Sequence, residues 1–197
     1  MRAIDSPDMR VMLQPARAYR EFGIRTTALR GWRAAQRPAF LVFLLGCLVS
    51  VVTGDGLNLR LFAAGVLNGV FVPVLEIAVL AALWRGARKV PFGRMVDLFF
   101  MGHGPWVFWM LVMCAIWVFA EPPLAFRLTG QGMWFLFAVA FVWSGYIDFC
   151  FFREVLGENG ARAWTKVIVL RAVTWIVGLA YFGGGSLLPE AMRLVKP

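Results

Sequence analysis

Residues 61–84 read LFAAGVLNGVFVPVLEIAVLAALW, and Glu76 is the one ionisable side chain in the run. A helix rises 1.5 Å per residue, so about 20 apolar residues cross a hydrocarbon core of about 30 Å. This run is long enough to span. Working outward, four more apolar blocks extend over Pro38–Thr53, Val96–Ala120, Met133–Phe152 and Val167–Leu188. The first is short and stops at the Gly54-Asp55-Gly56 turn, so it reads as a tilted span or as one arm of a re-entrant hairpin. Hydrophobic residues make up 60% of the 197, and their concentration in these blocks excludes a soluble domain. An aromatic share of 15% excludes disorder. The expected fold is all-α: a polytopic transmembrane helix bundle of five spans, the first short, with interfacial helices at the N-terminus. Three regions follow, a basic N-terminal segment (1–37), the five-helix domain (38–188) and a short tail (189–197).

Charge sets the expected orientation. Net charge is +9, and the basic residues sit in the joints between blocks rather than in a nucleic-acid-binding patch. Eight arginines precede residue 38, Arg85, Arg88, Lys89 and Arg94 fill the second joint, and Arg153, Arg162, Lys166 and Arg171 surround the fourth. Against these sixteen, the alternate joints and the tail hold only Arg60, Arg127, Arg193 and Lys196. The positive-inside rule then predicts a multi-pass protein with a cytoplasmic N-terminus and a C-terminus on the opposite side. Trp32, Trp84 and Trp164 fall at predicted cytoplasmic ends and Trp117 and Trp134 at the others, as interfacial belts would. Trp106, Trp109, Trp143 and Trp175 lie deeper, where they pack between helices or against lipid.

The N-terminal segment has no apolar stretch of signal-peptide length. Ser6-Pro7-Asp8 predicts a helix start, with Ser6 as cap and Pro7 in the first turn. From Ala16 to Trp32, Tyr19, Phe22, Ile24, Leu29 and Trp32 mix with Arg17, Arg20, Arg25 and Arg30, and Arg33 follows directly. That mixture, continued by Arg37, predicts helices on an anionic leaflet, with these six arginines on lipid headgroups.

Ionisable groups inside a bilayer are costly and mark functional candidates. They are Glu76, Asp97, His103, Asp148 and Arg171. Counting from Trp84 puts Glu76 about 12 Å inside the cytoplasmic end. The other four fall in the same half, where they would converge. Three uses of such a cluster stay open: ion pairing that holds the bundle together, a polar cavity for a lipid headgroup or ion, and proton transfer through Glu76 and His103. His103 stands in Gly102-His103-Gly104-Pro105, which predicts a kink, with the imidazole on the carbonyl that Pro105 frees or on a haem or chlorin. Gly65 and Gly69 form a GxxxG that permits close helix approach, and Pro73 predicts a kink before Glu76. Gly183-Gly184-Gly185 predicts a loosened end to the last span. Cys47, Cys114 and Cys150 lack CxxC spacing, and no metal or cofactor site follows from the sequence. Neither a catalytic triad, a phosphate-binding glycine loop nor HExxH is present, and no joint has room for a catalytic domain.

Several stretches carry a likeness. Gln14-Pro15-Ala16-Arg17-Ala18-Tyr19-Arg20 leads in, with Arg37-Pro38 at the membrane. The third block opens Pro91-Phe92-Gly93-Arg94-Met95-Val96-Asp97-Leu98-Phe99-Phe100 and reaches Gly104-Pro105. Trp143 and Gly145-Tyr146 precede Gly160-Ala161-Arg162-Ala163. In this order the chain resembles bacterial members of the Yip family, whose eukaryotic relatives interact with Rab GTPases. The resemblance implies five helices and a cytoplasmic N-terminus. The Asp-Leu-Tyr-Gly-Pro segment of the eukaryotic branch is absent, so it does not imply GTPase binding. The expected function is that of a non-enzymatic accessory or membrane-organising protein, acting by helix packing with another membrane protein or with itself. The alternatives are a small transporter or lipid-handling protein that uses the polar cluster, and a pigment- or haem-contacting subunit built on His103.

Overall fold

The computed structural model describes residues 6–23, 31–53, 57–84, 90–120 and 132–194. Among these the chain is helical throughout: α1 (Pro7–Leu13), α2 (Pro15–Gly23), α3 (Gly31–Thr53), α4 (Leu59–Gly69), α5 (Phe71–Trp84), α6 (Phe92–Met101), α7 (Gly104–Phe119), α8 (Met133–Glu154) and α9 (Gly160–Leu194). Four stretches are long and apolar enough to cross a membrane: Ala34–Val52, Leu59–Trp84, Trp134–Glu154 and Gly160–Tyr181. A fifth results if α6 and α7, bent by 47° at their junction, form one span. The protein is a multi-span helical membrane protein. The expected Gly54-Asp55-Gly56 turn lies outside the described residues, whereas the glycine run at 183–185 lies inside the continuous backbone of α9.

Each joint has a local cause. Ser6 caps α1 by accepting the Met9 N–H at 3.3 Å, with Pro7 in the first turn. Helix α3 starts at Gly31, ahead of the expected Pro38, so the boundary drawn at 37 falls within it. The Ser50 hydroxyl accepts from the Asn58 N–H at 2.6 Å and donates to the Asn58 carbonyl at 3.1 Å, closing the α3–α4 hairpin. Asn58 then caps α4 through the N–H groups of Arg60 and Leu61. The turn at Val70 between α4 and α5 precedes Pro73, which lacks the N–H that would bond the Gly69 carbonyl. At the α6–α7 break, Gly102 and His103 close a tighter turn onto the Phe99 and Phe100 carbonyls, and Pro105 enters the first turn of α7. Between α8 and α9, Gly157 adopts φ +70°, a left-handed turn that glycine tolerates, and the Glu158 N–H reaches the Phe152 carbonyl at 3.3 Å. Asn159 caps α9 through the Arg162 N–H.

These joints gather the basic ends. Arg20 reaches Glu154 at 3.2 Å, Arg37 pairs with Asp97, and Lys166 donates to the Leu83 carbonyl at 3.1 Å. Among the described residues, α2, the start of α3, the end of α5, the start of α6 and the α8–α9 joint therefore share one end of the bundle. The most deeply buried large side chains lie toward this end: Tyr19, Phe99, Phe151, Phe152, Met95 and Leu98.

The N-terminal segment forms short helices, as expected, and these also pack on the bundle. Helix α1 packs against α6 and α7, and α2 against α8. Tyr19 is fully buried, donates to the Leu98 carbonyl at 3.2 Å and meets Phe151 edge-on at 5.7 Å. Trp143 donates to the Met12 carbonyl at 3.0 Å. Val11, Ala18 and Tyr19 face protein, whereas Met9 and Leu13 of α1 stay exposed.

Candidate functional site

An ion pair and a histidine–carboxylate contact come together beside the α6–α7 break. His103 Nε2 lies 3.1 Å from Glu76 Oε2, and its Nδ1 lies 3.4 Å from the Phe99 carbonyl oxygen. The carbonyl only accepts, so Nδ1 carries a proton. The imidazole stacks on Phe100 at 4.7 Å. It stays beside the backbone of the break, as the kink reading foresees, although the carbonyl it meets is that of Phe99.

Arg171 from α9 donates through Nε to Asp148 Oδ2 of α8 at 2.8 Å, and its Nη2 turns to the same oxygen. Asp148 is only 2% exposed, so the guanidinium is its source of compensation. The guanidinium carbon also lies 5.7 Å from the Phe141 ring centre and 6.0 Å from that of Trp106.

A cavity of about 300 Å³ opens beside these pairs. Glu76, His103 and Arg171 form its polar end. Trp106, Trp109, Phe137 and Trp175 line it, with Phe137 edge-on to Trp106 and Trp175 at 5.5 Å each. Leu41, Leu45, Val72 and Leu179 add aliphatic surface. Its polar residues thus stand at one end of a mostly apolar chamber, the usual form of a small-molecule site.

Four of the five expected intramembrane residues therefore share this neighbourhood, and Asp97 does not. Asp97, 4% exposed, lies on α6 beyond the 47° bend, where Arg37 and Arg94 hold it (Arg94 at 2.9 Å). Arg37 also reaches Asp8 at 3.0 Å, tying α1 to α3 and α6. Asp97 thus belongs to a separate network with Arg37 and Arg94.

The arginines expected on lipid headgroups are engaged with protein where the structure describes them. Arg17 meets Glu21 at 3.1 Å, Arg20 meets Glu154 and Arg37 meets Asp8 and Asp97. Arg25, Arg30 and the side chain of Arg33 lie outside the described residues. Arg10 also bonds Glu21, and the hydrogen bonds from Arg10 and then Arg17 hold the Glu21 carboxyl below its usual range. Burial, reinforced by the charge of Asp148, pushes the Tyr19 phenol well above its usual range.

Gly65 and Gly69 face α3. A Cβ at Gly65 would stand 2.9 Å from the Gly46 Cα, and one at Gly69 would stand 3.2 Å from the Leu45 Cβ. The GxxxG thus seals an intramolecular seam.

Thr174 and Gly178 escaped the sequence reading, and Trp109 was noted only as deep. The signal was spacing: Arg171, Thr174, Trp175 and Gly178 recur at i, i+3, i+4 and i+7, so they share the face of Arg171. Trp109 Nε1 and Thr174 Oγ1 are buried without a hydrogen-bond partner. Among the described residues no three His, Cys, Asp or Glu side chains form a group that would hold a metal ion. The chain matches no family model, no curated protein and no solved structure.

Proposed function

We propose that the protein is a non-enzymatic lipid-handling protein of a bacterial inner membrane, binding a membrane-soluble amphiphile in the cavity beside Arg171 and His103. The observation that carries this reading is the cavity itself: about 300 Å³, lined by Glu76, His103 and Arg171 together with aromatic walls, within helices of membrane-spanning length. The excess of arginine and lysine at one end of the bundle supports a cytoplasmic N-terminus. The resemblance to bacterial Yip proteins supports the same orientation.

A test uses Gly178, which lines the cavity and has nothing within 4 Å of an added Cβ. Gly178→Phe should fill the chamber, and lipid retained by the purified protein, counted by native mass spectrometry, should fall several-fold. Gly145→Phe, also in open space but outside the lining, is the control. Equal retention in both variants would refute the reading.

A second reading, an accessory or membrane-organising subunit, has one observation in its favour. Phe135, Val139, Val142 and Tyr146 are all exposed and recur at i, i+4, i+7 and i+11 along α8. A partner or a second copy of the chain would cover this stripe. Val142→Cys tests self-association, since an efficient disulfide-linked dimer in native membranes would support it and a purely monomeric product would count against it.

A further inference from the structure

The lining of the chamber carries ionisable groups of both signs. Glu76 of α5 and Arg171 of α9 belong to it, whereas Asp148, 2% exposed, does not. Trp109 Nε1 and Thr174 Oγ1 are sealed from any surface. Among side chains, the polar part of the wall therefore falls to Glu76, His103, Arg171 and the indoles of Trp106 and Trp175. Each of the two charged groups keeps one atom unused. Arg171 turns Nε and Nη2 to Asp148, and Glu76 turns Oε2 to His103, so among the described residues Nη1 and Oε1 make no hydrogen bond. The two side chains retain 16% and 13% of their surface, and neither unused atom is among those buried without a partner. Arg171 and Asp148 both act electrostatically on His103, which keeps the two contacts at one end of the chamber.

Guanidinium Nη1 can only donate, and carboxyl Oε1 is left to accept. Hydrocarbon satisfies neither. A ligand with one anionic acceptor and one N–H donor satisfies both and leaves Asp148 on its guanidinium, so no buried carboxylate is stranded. A headgroup with an anion alone leaves Oε1 without a donor. We infer that the cavity recognises a zwitterionic lipid headgroup that joins a primary ammonium to a phosphate, the phosphate accepting from Arg171 Nη1 and the ammonium donating to Glu76 Oε1. The first part of the acyl chains then lies along Trp106 and Phe137. This inference rests on the cavity reading above and adds the chemical class of the ligand. A phosphoethanolamine headgroup has this chemistry. A choline headgroup keeps the positive charge but has no N–H to give, and a glycerol headgroup has no cation.

The experiment takes the full chain in mild detergent and offers an equimolar mixture of dioleoyl phosphatidylethanolamine, phosphatidylcholine and phosphatidylglycerol. Native mass spectrometry counts each lipid retained. A hydrogen bond to a charged group corresponds to about tenfold in affinity. The ethanolamine lipid should be retained about tenfold over each of the others. Glu76→Gln keeps the shape but replaces the carboxylate, and should bring these ratios toward one. Arg171→Lys keeps a cation for Asp148 but removes Nη1, and should lower retention of all three lipids by about tenfold with their ratios kept. Ratios within one protein do not depend on how much of it is folded, so a purely structural role for Glu76 would leave them unmoved. Equal retention of the three lipids by the native chain, or a preference that survives Glu76→Gln, would overturn the headgroup inference. Unchanged retention in Arg171→Lys would overturn it as well. If the inference fails in any of these ways while Gly178→Phe still lowers retention, the cavity reading survives, and if Gly178→Phe has no effect, both fail. Should one of the two charge variants not elute as the native chain does, the other decides.

Discussion

Two seams of the same bundle solve the problem of packing in lipid in opposite ways. Between α3 and α4, Gly46, Gly65 and Gly69 bring backbones together until an added Cβ at Gly65 would meet the Gly46 Cα at 2.9 Å. Around the chamber lined by α5, α7, α8 and α9, aromatic rings form the wall, one polar pair joins α5 to the α6–α7 break, another joins α8 to α9, and about 300 Å³ is left. Lipid tails are as apolar as the side chains, so burial alone drives neither seam. Close contact holds the first, and charge pairing and aromatic stacking hold the second. A chamber persists where the stabilising groups are too large or too polar to close on each other.

The largest test attacks the open seam. Asp148→Ala leaves Arg171 without its carboxylate in a largely buried setting, and the expected loss is about 3–5 kcal/mol. Reversible unfolding in mixed micelles would measure it. Adding Arg171→Ala should return part of the loss, because the pair is then removed together, and an equal or greater loss in the double variant would contradict the pairing. The closed seam comes next. Gly65→Ala must push Gly46 and Val49 back, with an expected cost of about 1–3 kcal/mol. Gly178→Ala, the matching change in the open seam, meets nothing and should leave the unfolding midpoint unchanged. If the two alanines behaved alike, the contrast between the seams would be lost.

The two seams were not equally legible. GxxxG is readable from Gly65 and Gly69 because small residues four apart mean close approach wherever they face a helix. The polar end was readable too, since Glu76, His103, Asp148 and Arg171 fall at similar depths by counting residues from the block ends. Asp97 misled because depth says nothing of azimuth, and the 47° turn after Met101 sends α6 away from the chamber. Thr174 carried no charge to draw notice, and its place in the lining is a tertiary fact. For α2, the spacing of Ala18, Tyr19 and Phe22 states that one face is apolar. Whether lipid or protein meets that face is decided by the matching surface of α8, which lies more than a hundred residues along the chain.

Smaller effects probe how firmly the N-terminal helices stand against the basic end. Tyr19→Phe removes the hydroxyl that reaches the Leu98 carbonyl and should cost about 0.5–1.5 kcal/mol. Faster hydrogen exchange confined to α2 and its neighbours would locate the loss, and unchanged exchange there would remove this bond as a tether. The phenol sits well above its usual range, so it keeps its proton and the tether is insensitive to mildly alkaline pH.

Glu21 gives the mildest test, and its sign follows from linkage. Hydrogen bonds from Arg10 and Arg17 lower its folded-state value below the ordinary carboxylate range near about 4.3. Such a group stabilises the fold at pH above its unfolded value, and the contribution is lost as pH falls through the lower folded value. Acidification below about pH 4 should therefore loosen the α1–α2 junction, seen as increased proteolytic cleavage between Leu13 and Pro15, while neutral pH leaves it closed. Glu21→Gln should show the looser pattern already at neutral pH and lose this part of the acid response. The side chain is largely exposed, so screening keeps the effect small, and high salt should reduce it further. Retention of lipid in the chamber, which does not involve Glu21, should be the same in both variants at neutral pH. A parallel loss of lipid would mean that the α1–α2 pair and the open seam act as one unit through Met12 and Trp143, and the boundary between the two regions would have to be redrawn there.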